Sequence, residues 1–115
     1  MGTRTINTEV VSVANYVKGT TPVTETGAAR TVLVSDQAII CNRAGTVTLT
    51  LPTASSFTGR TLSVTTITAN TVVSASSNVV PLAGGAAGTA ILAATAGKWA
   101  DLISDGTNWL IVRSN

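Results

Sequence analysis

Residues 98–112 read KWADLISDGTNWLIV, and this stretch decides the fold of the chain. Two apolar runs flank Asp105 and Gly106, and an Asp-Gly pair between such runs is a strong signal for a β-hairpin. The glycine supplies the positive φ angle that a tight turn requires. Trp99 and Trp109 stand one in each run. We therefore predict a closing hairpin in which Trp99, Asp105, Gly106 and Trp109 are structural, both indoles filling the core. An exposed indole that stacks on a sugar is the alternative.

Upstream of the hairpin the chain reads as a series of short strands. Residues 46–51, TVTLTL, alternate threonine with valine or leucine, and residues 61–65, TLSVT, show the same two-residue period. Pro52 ends the first of these segments, because proline lacks the N–H that a strand ladder needs. Many short strands separated by turn residues are typical of a sandwich or barrel. The predicted fold is all-β, a small antiparallel β-sandwich of jelly-roll type.

The first thirty residues read differently from the rest. Their apolar residues follow no clean period, and Gly19, Pro22 and Gly27 interrupt the segment's second half. We predict an extended N-terminal arm over residues 1–30 and a β-sandwich domain over residues 31–115. Such an arm becomes ordered only where another surface covers it. The candidate partner-binding residues are its larger apolar side chains, Ile6, Val10, Val11, Val13, Tyr16 and Val17.

Charge is scarce in this chain. Charged residues make up 10% of the sequence and the net charge is +2, whereas ordinary soluble domains carry about 25%. The arginines are scattered, so the basic stripe of a nucleic-acid-binding protein is missing and no nucleic acid is expected as partner. A small, weakly charged β-domain exposes apolar patches and strand edges that invite association. We therefore expect the chain to work as an oligomer or docked on a larger surface.

The sequence offers little material for catalysis. It contains no histidine and a single cysteine, Cys41, so nitrogen/sulfur metal sites and a Cys-His or Ser-His nucleophile are excluded. Asp101 and Asp105 are the acids closest in sequence on the hairpin, but no aromatic platform accompanies them as a sugar-cleaving site requires. Residues 79–97 are uncharged, yet their proline and glycines argue against a membrane span. We predict no enzyme activity, no metal, no cofactor and no membrane partner.

Three segments in order carry a family resemblance. They are residues 46–52 (TVTLTLP), residues 59–64 (GRTLSV) and residues 101–109 (DLISDGTNW). Together they resemble small β-domains in the virion proteins of tailed bacteriophages, which occur in tail fibres, in spikes and in capsid decoration (cement) proteins. The resemblance spans about residues 31–113. It implies an all-β fold, assembly as a homotrimer and a structural or receptor-facing role.

Within this group the arm and the single domain favour a decoration protein. A fibre protein normally carries a tail-attachment region and shaft repeats before such a domain. The resemblance therefore implies a homotrimer on the outer surface of the capsid, bound to the major capsid protein and stabilising the shell. The alternative is a receptor-binding or tip domain of a tail fibre or tailspike, located on the tail and in contact with host glycan.

Overall fold

The computed structural model describes residues 21–115. Over this range short turns join β-strands, and a 3₁₀ helix lies at Ala54–Ser56. β-Branched residues dominate the strands, because their side chains pack well on a pleated surface. The strands in chain order are β1 (Val23–Glu25), β2 (Ala29–Thr31), β3 (Ala38–Cys41), β4 (Val47–Thr50), β5 (Thr61–Thr66), β6 (Val72–Ser74), β7 (Val79–Val80), β8 (Ala90–Leu92), β9 (Trp99–Ser104) and β10 (Trp109–Ser114).

The strands form two sheets packed face to face. The large sheet has six strands in the order β1-β3-β5-β9-β10-β7, and the small sheet has four in the order β2-β4-β6-β8. One cluster of buried side chains from both sheets fills the space between them. The all-β, sandwich-like class predicted from the sequence is therefore confirmed.

The N-terminal part of the sandwich winds as a solenoid. From β1 to β6 the chain alternates between the sheets, and each strand runs parallel to the strand two positions earlier. Ile39 pairs with Val64 in the large sheet and Val47 pairs with Val72 in the small sheet, a spacing of 25 residues in both. Each turn therefore packs on its neighbour as in β-helix proteins, where one repeat buries the face of the next.

Antiparallel pairing, which the predicted sandwich implies, occurs in the described residues only in ladders that include β8, β9 or β10. Strand β9 lies antiparallel to both β5 and β10, and β8 lies antiparallel to β6. The short strand β7 pairs with β10 in parallel. The expected antiparallel sandwich is thus a mixed parallel and antiparallel one. The physical reason is that a two-residue period reports which face is buried and not the direction of the neighbouring strand.

The predicted arm also needs correction in its last part. Val23–Glu25 and Ala29–Thr31 fall within residues 1–30, yet they form β1 and β2 and pair with β3 and β4. Their backbone groups find partners in the two sheets, so they belong with the sandwich. Residues 1–20, with the candidate partner-binding side chains, lie outside the described residues.

Trp109 is the largest fully buried side chain of the described core. It begins β10 and points between the sheets, where its indole N–H donates a hydrogen bond to the Pro52 carbonyl at 2.9 Å. A buried indole normally finds such a partner, because its N–H otherwise loses a hydrogen bond to water. The bond ties the last strand to the chain segment that follows β4.

Candidate interaction surfaces

The closing hairpin forms where the sequence predicts it. Ser104 pairs with Trp109, and Gly106 adopts φ 93° in the turn between them. One carboxylate oxygen of Asp105 accepts hydrogen bonds from the backbone N–H groups of Thr107 and Asn108, both at 2.8 Å. The bonds from Asn108 and Thr107 lower the pKa of the Asp105 carboxyl below its ordinary value, because they favour the charged form. Asp105 therefore acts as a backbone cap of the turn.

The two tryptophans have different environments. Trp109 has no exposed surface, whereas 38% of Trp99 is exposed. Trp99 begins β9 on the side of the large sheet that faces away from the core, and it pairs with Thr65. The interpretation that both indoles fill the core therefore holds for Trp109 alone, and Trp99 belongs to a surface.

That surface is the outward side of the large sheet, which we call the large-sheet face. Strand alternation places its side chains in three rows that run across the strands. Register assigns an apolar row (Val80, Leu110, Ile103), a polar row (Arg113, Asp101, Ser63) and a mixed row (Trp99, Thr65, Ile40). The large-sheet face therefore combines a continuous apolar band with a second large apolar group around Trp99.

The polar row is internally paired. The guanidinium of Arg113 lies 3.1 Å from one carboxylate oxygen of Asp101, and the Ser63 hydroxyl donates to the other at 2.8 Å. Arg113 is well exposed, so the pair contributes little to the stability of a single chain. Because the polar row contains one acid and one base, the large-sheet face has no net charge.

The outward side of the small sheet, the small-sheet face, differs in kind. It presents short side chains that are mostly threonine and alanine. These side chains bury little apolar area, and threonine hydroxyls are readily hydrated. The outward residues of its strands are Ala29, Thr31, Thr48, Thr50, Val73 and Ala90.

A third feature is the loop between β2 and β3, which is clamped by charges. Arg30 makes a two-point contact with the Asp36 carboxylate at 2.8 to 3.0 Å, and the N–H of Leu33 donates to the same carboxylate at 2.9 Å. Arg60, whose guanidinium lies 5.4 Å from the Phe57 ring centre, donates to the carbonyls of Leu33 and Asp36. These bonds fix the loop and leave the side chains of Leu33 and Val34 exposed.

Beside the clamped loop lies an open depression of about 410 Å³. Of the two charged side chains that line it, Asp36 is bonded to Arg30, and the Nη2 of Arg60 donates to backbone carbonyls. The Nη1 of Arg60 is buried without a hydrogen-bond partner. The depression therefore presents no free acid. Its lining consists of Val34, Ser35, Asp36, Gln37, Gly59, Arg60 and Thr61.

Cys41 lies fully buried at the end of β3. Burial raises the pKa of its thiol to about 11, and the nearby charge of Glu25 acts in the same direction. A thiol with such a pKa remains protonated at neutral pH and is a poor nucleophile. This agrees with the sequence-based interpretation of Cys41 as a small core residue.

Each acid of the described segment has a structural partner. Glu25 accepts from the Gly27 N–H and contacts Arg30, which also pairs with Asp36. Asp101 pairs with Arg113, and Asp105 accepts hydrogen bonds within its own turn. Within residues 21–115 no three metal-ligating side chains come together. No helix in that same range has the length and apolar character to cross a membrane.

Of the residues singled out in the sequence, Asp105, Gly106 and Trp109 lie together at the turn of the hairpin, whereas Trp99 lies at the hairpin's open end, beside Asn115. The apolar side chains from Ile6 to Val17 fall in the part of the chain that is not described. Sequence reasoning missed Ile103, Leu110 and Val80, whose outward positions become apparent only once the register of β7, β9 and β10 is known. Comparison of the chain with protein-family models, with curated proteins and with solved structures found no match.

Proposed function

We propose that this chain is a structural protein of a bacteriophage virion, a capsid decoration protein that forms homotrimers on the outer surface of the head. The observation that carries the proposal furthest is the large-sheet face, an electrically neutral surface with a partly exposed apolar row and the exposed Trp99, on a chain with few charges. Apolar groups grouped on the surface of a small domain are typical of protein–protein contact. The sequence resemblance supplies the virion as the setting.

A β-sandwich suits a protein that must keep its shape while it holds a capsid shell together. Its strands are tied by backbone hydrogen bonds, and the clamped loop and the capped turn add side-chain bonds. Burial of apolar surface against the major capsid protein and neighbouring copies would supply about 25 cal/mol per Å² as an upper bound. Three linked copies would bind more tightly than one, because the second and third contacts form within the same complex.

The N-terminal residues are proposed as the second contact with the shell, through Ile6, Val10, Val11, Val13, Tyr16 and Val17. The structure sharpens how this is tested. A deletion must stop at residue 20, because β1 begins at Val23 and Glu25 is bonded to Gly27 and Arg30. Removal of residues 1–20 should weaken binding to capsids while the β-sandwich remains folded. Unchanged capsid binding would contradict the assignment of these residues.

The deciding experiment is the position of the chain in an intact particle. Antibodies against the purified protein would be applied to phage particles and to separated heads and tails, with labelling viewed by electron microscopy. The decoration proposal expects labelling over the head and co-sedimentation of added protein with expanded capsids. Labelling confined to the tail would replace the proposal by its alternative, and absence from heads, tails and whole particles would end both.

The alternative function is a receptor-binding or tip domain of a tail fibre or tailspike, in contact with host surface glycan. The observation in its favour is Trp99, whose partly exposed indole lies on an outward sheet face where a sugar ring can stack. A glycan array probed with the purified chain tests it, with Trp99→Ala as the matched variant. Binding that this substitution abolishes would support the alternative over the decoration role.

A further inference from the structure

The first strands of the solenoid leave an open edge on the small sheet. Within residues 21–115, β2 pairs with β4 alone. The Ala28 carbonyl accepts a hydrogen bond from β4, and the Val32 N–H donates one to β4. Because successive residues of a strand turn their backbone groups to opposite sides, those of Ala29 and Thr31 point away from β4. Such an edge is a template for a further strand, and the end of a solenoid normally carries a cap.

The winding of the solenoid indicates which residues come next to β2. Strands alternate between the sheets, so a strand that precedes β1 belongs in the small sheet, beside β2. Residues 10–12 precede Ala29–Thr31 by the same number of residues as these precede their partners Thr48–Thr50. The connection to the large sheet has a parallel as well. Residues 13–22 lead to β1, and the equally long residues 51–60 lead from β4 to β5.

A sequence repeat supports this register. Residues 70–73, at the start of β6, read NTVV, and residues 7–10 read NTEV. When the register is followed through β2 and β4 to β6, the two Asn-Thr pairs fall at the same level of the small sheet. The longer turn of 25 residues found later in the solenoid would instead place residues 4–6 beside β2, and these read RTI. The motif therefore favours the shorter turn.

We propose that residues 9–13 of this chain add to the small sheet as a strand parallel to β2 and close the open edge. The inference goes beyond the proposed function and does not rest on it. In this register the Val11 N–H faces the Ala29 carbonyl, and the Val11 carbonyl faces the Thr31 N–H. The Val11 side chain lies inward beside Arg30. Contact with the shell is left to the apolar side chains of the N-terminal residues that do not turn inward.

Charge at this edge is compatible with an added strand. An inward charge protects a strand edge when addition would bury that charge without a partner. Arg30 already contacts Asp36 at 2.8 Å and Glu25 at 3.6 Å, so an added strand leaves it paired. On the outward side, Val10 and Ser12 continue the short side chains of the small-sheet face. The same chain is the source of the strand, because its own connection has the length that the solenoid uses elsewhere.

The test places one proline at each of two neighbouring valines. Val11→Pro removes the N–H that bonds to Ala29, whereas Val10→Pro removes an N–H that points away from β2 and is the matched control. Hydrogen exchange of single backbone amides, followed by nuclear magnetic resonance, reports the pairing. We expect protected amides at Ala29 and Thr31 in the unaltered chain and in Val10→Pro. In Val11→Pro both should exchange at least about tenfold faster.

The Val32 amide, which donates to β4, reports in the same spectra that the sandwich is folded. If Val11→Pro does not fold, Val13→Asp serves in its place, because this register puts its carboxylate beside the buried Val32, and Ser12→Asp is then the outward control.

Unprotected Ala29 and Thr31 amides in the unaltered chain, or equal protection in the inward and control variants, would overturn the inference. Protection that disappears on dilution would also overturn it, since the strand would then come from another copy. Absence of protection with capsid binding intact would overturn this inference alone, whereas the expected protection without any particle binding would overturn only the proposed function.

Discussion

The core is shielded from solvent by different kinds of side chain at the two sides of the large sheet. At the β1 edge the inward positions hold charged groups: Glu25 stands beside Cys41, and Arg30 in the small sheet stands beside Leu49. At the opposite side, in β10 next to the edge strand β7, a fully buried indole, Trp109, fills the space. We call the first arrangement the charged closure; its stability requires every charge to be paired, since an unpartnered buried charge is costly. We call the second the apolar closure; its stability requires a side chain large enough to fill the space, since a cavity removes packing contacts.

The largest expected effect breaks the apolar closure. Trp109→Ala should lower the free energy of unfolding by about 3–5 kcal/mol, because it leaves a cavity and removes the donor to Pro52. Urea denaturation followed by circular dichroism measures the loss. Trp99→Ala is the matched control and should cost about 1 kcal/mol or less, since its side chain is partly exposed. Equal losses for the two tryptophans would contradict the assignment of Trp109 as the core residue.

The second effect breaks the charged closure. Arg30→Ala leaves Asp36 without its two-point partner, and the Asp36 side chain is only 4% exposed. Breaking a fully buried pair costs about 3–5 kcal/mol, so for the partly exposed Arg30 we expect about 2–3 kcal/mol, measured by urea denaturation. Arg113→Ala, which breaks the exposed pair with Asp101, should cost about 0.5 kcal/mol or less.

A double-mutant cycle separates the Arg30–Asp36 interaction from the loss of the arginine stem. Asp36→Asn in the Arg30→Ala background should cost less than Asp36→Asn alone, because the charge that it removes is already unpaired. Additive losses would show that Arg30 stabilises the β1 edge by packing alone.

From residue 38 onward the strands could be predicted from the sequence, but β1 and β2 fell in the predicted arm and the parallel winding was not predicted. The alternation in residues 46–51 and 61–65 located β4 and β5 within one residue at each end. The parallel winding has a weaker signal in the sequence, a repeated motif that is not visible when each strand is considered alone. Residues 44–47 read AGTV and residues 69–72 read ANTV, 25 positions apart, and these segments occupy equivalent places in successive turns. A search for internal repeats could have found them.

The surfaces were harder to predict than the fold. Trp99 and Trp109 have similar sequence surroundings, and only the strand register shows that one faces outward and the other inward. Arg30 lies in the predicted arm, which was inferred because the apolar residues of the first thirty follow no clean period. Its partner Asp36 lies in the following loop. The sequence alone does not show that the two groups meet.

A third, smaller effect tests the contribution of Glu25 to the charged closure at the β1 edge. Glu25→Gln keeps an acceptor for the Gly27 N–H but removes the ionic contact with Arg30 at 3.6 Å. The loss of stability should be about 0.5 kcal/mol. Because the charge of Glu25 raises the pKa of the Cys41 thiol, the substitution should lower that pKa. Burial, the larger cause, remains, so the thiol stays protonated at neutral pH.

The rate of iodoacetamide labelling of Cys41 as a function of pH, in the absence of denaturant, measures this change. We expect the rate to rise at lower pH in Glu25→Gln than in the unaltered chain, with both proteins labelled slowly at neutral pH. An unchanged pH profile would show that the charge of Glu25 does not reach the thiol. Rapid labelling at neutral pH would show that the β1 edge opens easily.

The smallest effect concerns the turn that joins β9 to β10. The backbone N–H groups of Asn108 and Thr107 lower the pKa of Asp105, so the folded state favours the carboxylate more than the unfolded state does. The resulting stability is present above the unfolded pKa, 3.8 for an unperturbed Asp, and is lost as pH falls through the lower folded value. Asp105→Asn still offers an oxygen to the turn but does not titrate. The melting temperature of the unaltered chain should therefore exceed that of Asp105→Asn at neutral pH, and calorimetry should show this difference shrinking as pH falls below the unfolded value. A difference that stays constant through this range would mean that the carboxylate charge contributes nothing, and that the hairpin is held by Gly106 and the packing of Trp109 alone.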